Sequence, residues 1–160
     1  MIALSPMTDD EYQPYVRQSI QDYAAEHVRG GRWSAEDALE QSAREFDSLL
    51  TQGLHTPDHF LYMIVEEDTG QRVGVLWFAL QSRAGQRTAW VYDIVIYEEF
   101  RRHGYATQAF RLLEERASEQ GATSIALHVF GHNHSARALY EKLGYEPTNI
   151  QMVKHLAPQG

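Results

Sequence analysis

A chain of 160 residues with 43% apolar and 22% charged side chains has the size and make-up of one folded domain, residues 1–160, and lies far from disordered or collagen-like composition. It contains no cysteine, which excludes disulfides, thiolate metal sites and a cysteine nucleophile. The formal net charge of −8 argues against a nucleic-acid binder, because that function concentrates Lys and Arg against phosphate, and it suits an amine or other cationic partner.

Ile2 to Ser5 reads as a short strand stopped by Pro6. Thr8 and Glu11 have the spacing of a capping box, so a helix starts there, with Pro14 either kinking its first turns or moving its start. Tyr12, Tyr15, Ile20, Tyr23 and His27 follow at near-helical spacing, and Gly30 and Gly31 end the run. Ser34 opens a second helix whose apolar face is Leu39, Ala43, Phe46 and Leu50, with Gly53 as its C-terminal cap. The pattern then changes to strands: FLYMIVE from Phe60, a turn at Asp68 to Gly70, RVGVLWFAL, a polar loop at Ser82 to Arg87, and a strand from Thr88 to Ile96. Ala106, Ala109, Phe110, Leu113 and Ala117 mark a third helix closed by Gly121. A strand from Ser124 to Phe130, a short helix with Ala136, Leu139, Tyr140 and Leu143, and a last strand from Asn149 to Leu156 complete the order β-α-α-β-β-β-α-β-α-β. This is an α/β arrangement with no internal repeat.

No apolar run approaches the roughly 20 residues that span a bilayer, and the start MIALSPMTDD lacks the features of a signal peptide. A cytoplasmic location and no membrane partner are expected.

The segment DIVIYEEFRRHGYAT, Asp93 to Thr107, takes a strand through a basic loop with a glycine into a helix. Free N–H groups and the positive end of the helix dipole suit a phosphate there, and Arg101 and Arg102 add charge. The same residues also describe an ordinary strand-to-helix turn. No Gly-x-Gly-x-x-Gly follows a strand, and no Gly-Lys-Ser/Thr phosphate loop is present. His132, Asn133 and His134 could suggest zinc, with His128 nearby, but no acidic or thiolate partner has metal-site spacing, so no metal is expected.

Arg101, Arg102, His103, Gly104, Tyr105 and Ala106 resemble the Gln/Arg-x-x-Gly-x-Gly/Ala signature of the GNAT N-acetyltransferase family. LHVFGHNHSARALYEKLGY, Leu127 to Tyr145, is similar to the family's second block: a strand, an Asn after it, and a helix ending Leu-Tyr-x-x-Leu-Gly-Tyr/Phe. The resemblance covers Phe60 to the C-terminus closely. It implies a mixed, mostly antiparallel central sheet flanked by helices, and acetyl-CoA as co-substrate. It also implies a cofactor site made from the main chain of Ile94, Val95 and Ile96, the loop Arg101, Arg102, His103, Gly104, Tyr105, Ala106 and Thr107, and Asn133. Asn133 equally suits a helix cap.

The reaction so implied needs a base for the amine, donors for the oxyanion and an acid for the thiolate. His128 leads as base, since an imidazole near pKa 6.5 accepts a proton at neutral pH; an inert imidazole on a strand face is the alternative. Asp93 rivals it, because a carboxylate in an apolar strand needs a partner or a task, whereas Glu98 reads as a solvated loop residue. Tyr140 is the acid by resemblance, and by spacing alone it is a packing residue beside Ala136 and Leu143. Without cysteine, and with none of Ser82, Ser124 or Ser135 in a Gly-x-Ser-x-Gly elbow, transfer is expected to be direct, in a ternary complex. The acceptor expected is a small-molecule or peptide amine, with Tyr23 to Trp33 either a lid over it or a plain helix-to-helix turn. A homodimer is allowed for. The competing reading is a GNAT-fold module that binds acyl-CoA without turning it over.

Overall fold

The computed structural model describes residues 1–158. Five strands, β1 (Ile2–Pro6), β2 (His59–Glu66), β3 (Arg72–Arg83), β4 (Gln86–Ile96) and β5 (Ser124–Leu127), lie side by side in that order. The first three junctions are antiparallel and β4–β5 is parallel. Helices α1 (Asp9–Arg29) and α2 (Ala38–Leu49) cover one face of the sheet, and α3 (Tyr105–Glu119) and α4 (His134–Lys142) the other. This is the mixed, mostly antiparallel sheet between helices that the sequence implied. No helix among the described residues is long and apolar enough to cross a membrane.

The capping box forms: Thr8 Oγ1 accepts the Glu11 N–H at 3.2 Å, and the Glu11 carboxylate accepts the Thr8 N–H at 3.1 Å. Pro14 does not move the start of α1, which begins at Asp9 and runs through it. The carbonyl that Pro14 leaves unpaired belongs to exposed Asp10, where water can serve it. In α2 the buried face is Ala38, Ser42 and Phe46, and the expected Leu39 is instead 57% exposed. Ser42 can be fully buried because its hydroxyl donates to the Ile20 carbonyl of α1 at 2.7 Å, so a small paired polar residue takes the helix-helix contact. Ser34, expected to open this helix, stands in the turn before it, its hydroxyl donating to the Asp37 carboxylate at 3.3 Å.

The supposed polar loop from Ser82 to Arg87 is a tight hairpin. Strands β3 and β4 pair as far as Arg83 and Gln86, and only Ala84 and Gly85 turn, at φ of 50° and 75°, the left-handed pair that a two-residue hairpin demands. Every residue of β3 from Val73 to Leu80 is buried, as befits a central strand packed on both faces.

The C-terminal third departs from expectation. β5 ends at Leu127, not Phe130, and the closing strand expected at residues 149–156 does not form. A strand exists through its ladder, and among the described residues no hydrogen bond ties residues 146–158 to the rest of the chain.

Candidate active site

Strands β4 and β5 pair only from Thr88↔Ser124 to Val91↔Leu127. Beyond that point β4 continues to Ile96 beside β3 alone, so the sheet is split open along one strand edge. Successive residues of a strand address opposite neighbours. Val95 sits opposite Val75 in the same register as Tyr97, whose N–H donates to the Val73 carbonyl at 2.8 Å. The main chain of Val95 is therefore turned to β3, while that of Ile94 and Ile96 faces the opening. The Ile96 carbonyl accepts Nε of Arg101 at 3.0 Å, which leaves the Ile94 carbonyl and the Ile96 N–H for a ligand.

Arg101 thereby folds the following loop back against the strand end. Arg102 and Gly104 both have left-handed backbone, at φ of 68° and 75°, and His103 Nδ1 lies 2.8 Å from the Arg101 carbonyl and 3.1 Å from that of Phe100. The first N–H of α3 to find a main-chain acceptor is that of Gln108, bonded to the Gly104 carbonyl. The N–H groups from Arg102 to Thr107 have no protein acceptor among the described residues. Six donors gathered by two left-handed residues at a helix N-terminus form a concave anion-binding nest. A pocket of about 130 Å³ lies here, lined by Ile96, Phe100, Arg102, Tyr105 and Thr107 among others. A Cβ on Gly104 would meet no protein atom within 4 Å, so the glycine is required by its φ and by whatever approaches from outside.

Asp93 stands at a bulge. Trp77 pairs with Asp93 and Phe78 with Val91, so Tyr92 is extra. The insertion turns both Tyr92 and Asp93 toward the α1/α2 face while Val91 and Ile94 stay on the other, the kind of re-aiming for which bulges are used beside functional sites. The Tyr15 hydroxyl of α1 donates to Asp93 Oδ2 at 2.7 Å. Burial pushes the Asp93 carboxyl up to about 6; the Tyr15 hydrogen bond opposes this and nearby Asp22 adds to it. The residue nevertheless remains partly open to solvent, as a group that exchanges protons with a ligand must be. Tyr140 of α4 packs edge-on against Phe110 at 5.7 Å, and its phenol is raised above its ordinary value by burial and then by the charge of Asp93. Asp93 and Tyr140 thus belong to one electrostatic neighbourhood although they are carried on opposite faces of the sheet.

His128 has left the strand and is exposed just past the end of β5, edge-on to Phe130 at 4.9 Å. Asn133 caps α4, its Oδ1 accepting the Ala136 N–H at 3.3 Å. The loop between them docks on the α1–α2 joint: His132 Nε2 lies 3.0 Å from the Glu26 carboxylate, and a Cβ on Gly30 would strike the Phe130 ring at 2.8 Å. His27 is buried in this contact, stacked on Trp33 at 4.2 Å. Arg32 Nη1 lies 3.5 Å from His27 Nδ1; since Arg only donates, the ring proton sits on Nε2, which has no partner. Burial and then Arg32 hold this imidazole below its ordinary pKa. Tyr23 to Trp33 is thus a helix-to-helix turn with one packed side, at Ala24 and His27, and an exposed stretch from Val28 to Arg32. Sequence reasoning missed Tyr15 and Glu26 as site residues, because their partners lie 78 and 106 positions away and no local pattern links them.

A main-chain anion nest set beside a half-unpaired strand, with a titratable carboxylate at the strand's bulge, fits a cofactor with a pyrophosphate and an amide-bearing arm; the class is a coenzyme A-dependent acyltransferase. Comparison with known proteins agrees. Residues 18–145 match the acetyltransferase (GNAT) family, and the chain belongs to that family as an acetyl-CoA-dependent N-acetyltransferase. It is similar to two uncharacterized N-acetyltransferases of Bacillus subtilis (strain 168). YdgE is 37% identical over 153 residues, 96% of this chain and 97% of the relative, and YycN is 40% identical over 157 residues, 97% and 99% respectively. The crystal structure of YycN superposes with a TM-score of 0.92 at 38% identity, covering 99% of this chain and all of that one.

Proposed function

We propose that the chain moves the acetyl group of acetyl-CoA directly to a primary amine of a small molecule or peptide, with Asp93 as the base. The observation that carries this reading is a bulge-directed, partly exposed carboxyl with a pKa of about 6 on the strand whose far half is unpaired. The N–H groups of residues 102–107 receive the pyrophosphate, and the Ile94 carbonyl and Ile96 N–H take the amides of the pantetheine arm and the thioester oxygen. Asn133 borders the arm from the far side while capping α4.

A substrate ammonium gives a proton to the Asp93 carboxylate, directly or through one water, and the freed nitrogen attacks the thioester carbonyl. The C–N bond forms as the carbonyl π bond becomes an oxyanion held by the Ile96 N–H. Collapse breaks the C–S bond, and the thiolate leaves with a hydrogen bond from Tyr140. The raised phenol pKa makes Tyr140 a hydrogen-bond donor that keeps its proton, so the second proton of the attacking nitrogen passes through solvent to the departing thiolate, and Asp93 returns the first to solvent. Holding both substrates together supplies much of the rate through proximity.

His128 is the second candidate base, favoured by its exposure at the mouth of the split and by the lack of any hydrogen-bond partner among the described residues. Release of free thiol during an amine-panel assay decides between them and has no protein background, since the chain lacks cysteine. Asp93→Asn should lower kcat by roughly 10²–10⁴-fold and abolish the rise of kcat/KM through pH 6, while His128→Ala keeps that rise. Loss of the rise in His128→Ala alone moves the base to His128. Acetyl-CoA binding with no thiol release for any amine would leave a non-catalytic acyl-CoA module.

A further inference from the structure

Gly74 lies on β3 directly opposite Ile96 of β4 and is buried. Its backbone is not left-handed, so conformation alone does not call for glycine there. Space does. A Cβ at this position would stand 2.0 Å from the Val95 carbonyl oxygen and 3.1 Å from both the Val95 carbonyl carbon and the Ile96 Cα. All three are main-chain atoms, which cannot rotate aside as the end of a side chain would. The next nearest main-chain contact of any described glycine is 3.3 Å, at Gly30. A glycine inside a strand weakens it and marks the close approach of another backbone, and the backbone that approaches here is the Val95–Ile96 peptide.

On its other side β3 is fixed. Ile64 of β2 faces Gly74 while Val65 faces Arg72, so Val73 is an extra residue in β3, and both Val73 and Ile64 are closed off from solvent. β4 is held less firmly: its ladder with β5 ends at Val91↔Leu127, and from there to Ile96 it is paired with β3 alone. The end of β4 is nevertheless pinned at three points. The Ile96 side chain is buried, its carbonyl accepts Nε of Arg101 at 3.0 Å, and the next N–H, that of Tyr97, donates to the Val73 carbonyl at 2.8 Å. The carbonyl and N–H of a trans peptide point in opposite directions within one plane. With its carbonyl lodged against Gly74, the Val95–Ile96 peptide turns the Ile96 N–H away from β3 and into the split.

We infer that Gly74 is the positioning residue for the oxyanion donor of the reaction: the side chain it lacks leaves the room in which the Val95 carbonyl sits, and the peptide so seated aims the Ile96 N–H at the thioester oxygen. This rests on the reading of the Ile96 N–H as that donor. Such a donor is effective when it is fixed beforehand at hydrogen-bond distance from the place the oxyanion will occupy. A methyl group at position 74 has to push the Val95–Ile96 peptide outward by about 1 Å to clear the oxygen, and a misplacement of that size costs on the order of 10²-fold in rate. The donors of the anion nest belong to the loop and to the start of α3, so the pyrophosphate keeps its site and the cofactor is retained.

Gly74→Ala, checked for folding by circular dichroism, is compared with the parent in two measurements. With the best acceptor of the amine panel at saturation, kcat should fall about 10²-fold while the dissociation constant for CoA, from calorimetry, stays within about threefold. In the nuclear magnetic resonance spectrum of the isotope-labelled parent, the Ile96 amide proton should move downfield when acetyl-CoA replaces CoA, since only acetyl-CoA carries the thioester oxygen. In Gly74→Ala that difference should vanish, while the amides of residues 102–107 respond to both ligands as they do in the parent. A residue that served stability alone would lower the folded fraction and leave the difference in place. A variant that keeps its kcat, or whose Ile96 amide still separates the two ligands, overturns the inference. A chain that cannot fold with alanine at 74 overturns it too, because the unpaired end of β4, and not the sheet, is what should give way. If the Ile96 amide of the parent itself does not separate acetyl-CoA from CoA, the donor is another group, and the inference falls with the reading on which it rests.

Discussion

The two sides of the β4 strand are built to different standards. On the β3 side, an eight-residue run from Val73 to Leu80 is buried without interruption, and Phe78, Leu76, Ile64 and Leu113 are closed off completely. On the β5 side, the ladder is four pairs long, the strand and its helix bury no residue fully, and the sheet opens. The first side holds the molecule together and the second leaves main-chain groups available. A ligand can hydrogen-bond only to backbone that the fold has not used, and incomplete pairing beside a rigid core leaves such backbone free among the described residues.

That contrast predicts a steep difference in mutational cost. Phe78→Ala should destabilise by about 3–5 kcal/mol, the range for a large buried side chain that leaves a cavity. Leu139→Ala in α4 should cost under about 2 kcal/mol, because a partly exposed site is rehydrated instead of emptied. Urea unfolding of both variants measures this. Equal losses would mean that α4 belongs to the same cooperative core.

Asp93 gives a smaller effect with a definite sign. Its folded pKa of about 6 lies above its unfolded value, so between roughly pH 4 and 6 the folded state binds more protons than the unfolded one. The ionisable carboxyl therefore contributes most below that window and loses its contribution as pH rises through 6. The stability of the parent relative to Asp93→Asn should fall by on the order of 2 kcal/mol between pH 4 and pH 7 and stay level above. A relative stability that instead rises with pH would show an Asp93 held ionised by a cation, and would remove the argument for it as base.

Much of this arrangement was legible beforehand. Thr8 and Glu11 declared the helix start because a capping box is local, and the basic loop with Gly104 declared an anion site because it carries a strand into a helix N-terminus, although the left-handed turn at Arg102 that completes the nest left no mark in the sequence. Asp93 was conspicuous as one carboxylate among apolar strand residues. What stayed hidden depends on contacts between distant segments. Periodicity assigns Leu39 to a buried face just as readily as Ser42, and only the approach of α1, with its Ile20 carbonyl, prefers the serine. The extra residue at Tyr92 cannot be seen in β4 alone, since a bulge is defined by its partner strand. The pattern at residues 149–156 is that of a strand, but a strand exists only through its ladder, and none forms there among the described residues.

The central claim, that acetyl-CoA lies along the unpaired half of β4 with its pyrophosphate on the loop entering α3, is tested most directly by amide hydrogen exchange with and without acetyl-CoA. The N–H groups of residues 102–107 and of Ile96 should exchange markedly more slowly when it is bound, while Val95, already paired with β3, changes little. Binding that leaves residues 102–107 unprotected, with protection appearing elsewhere, would contradict the account.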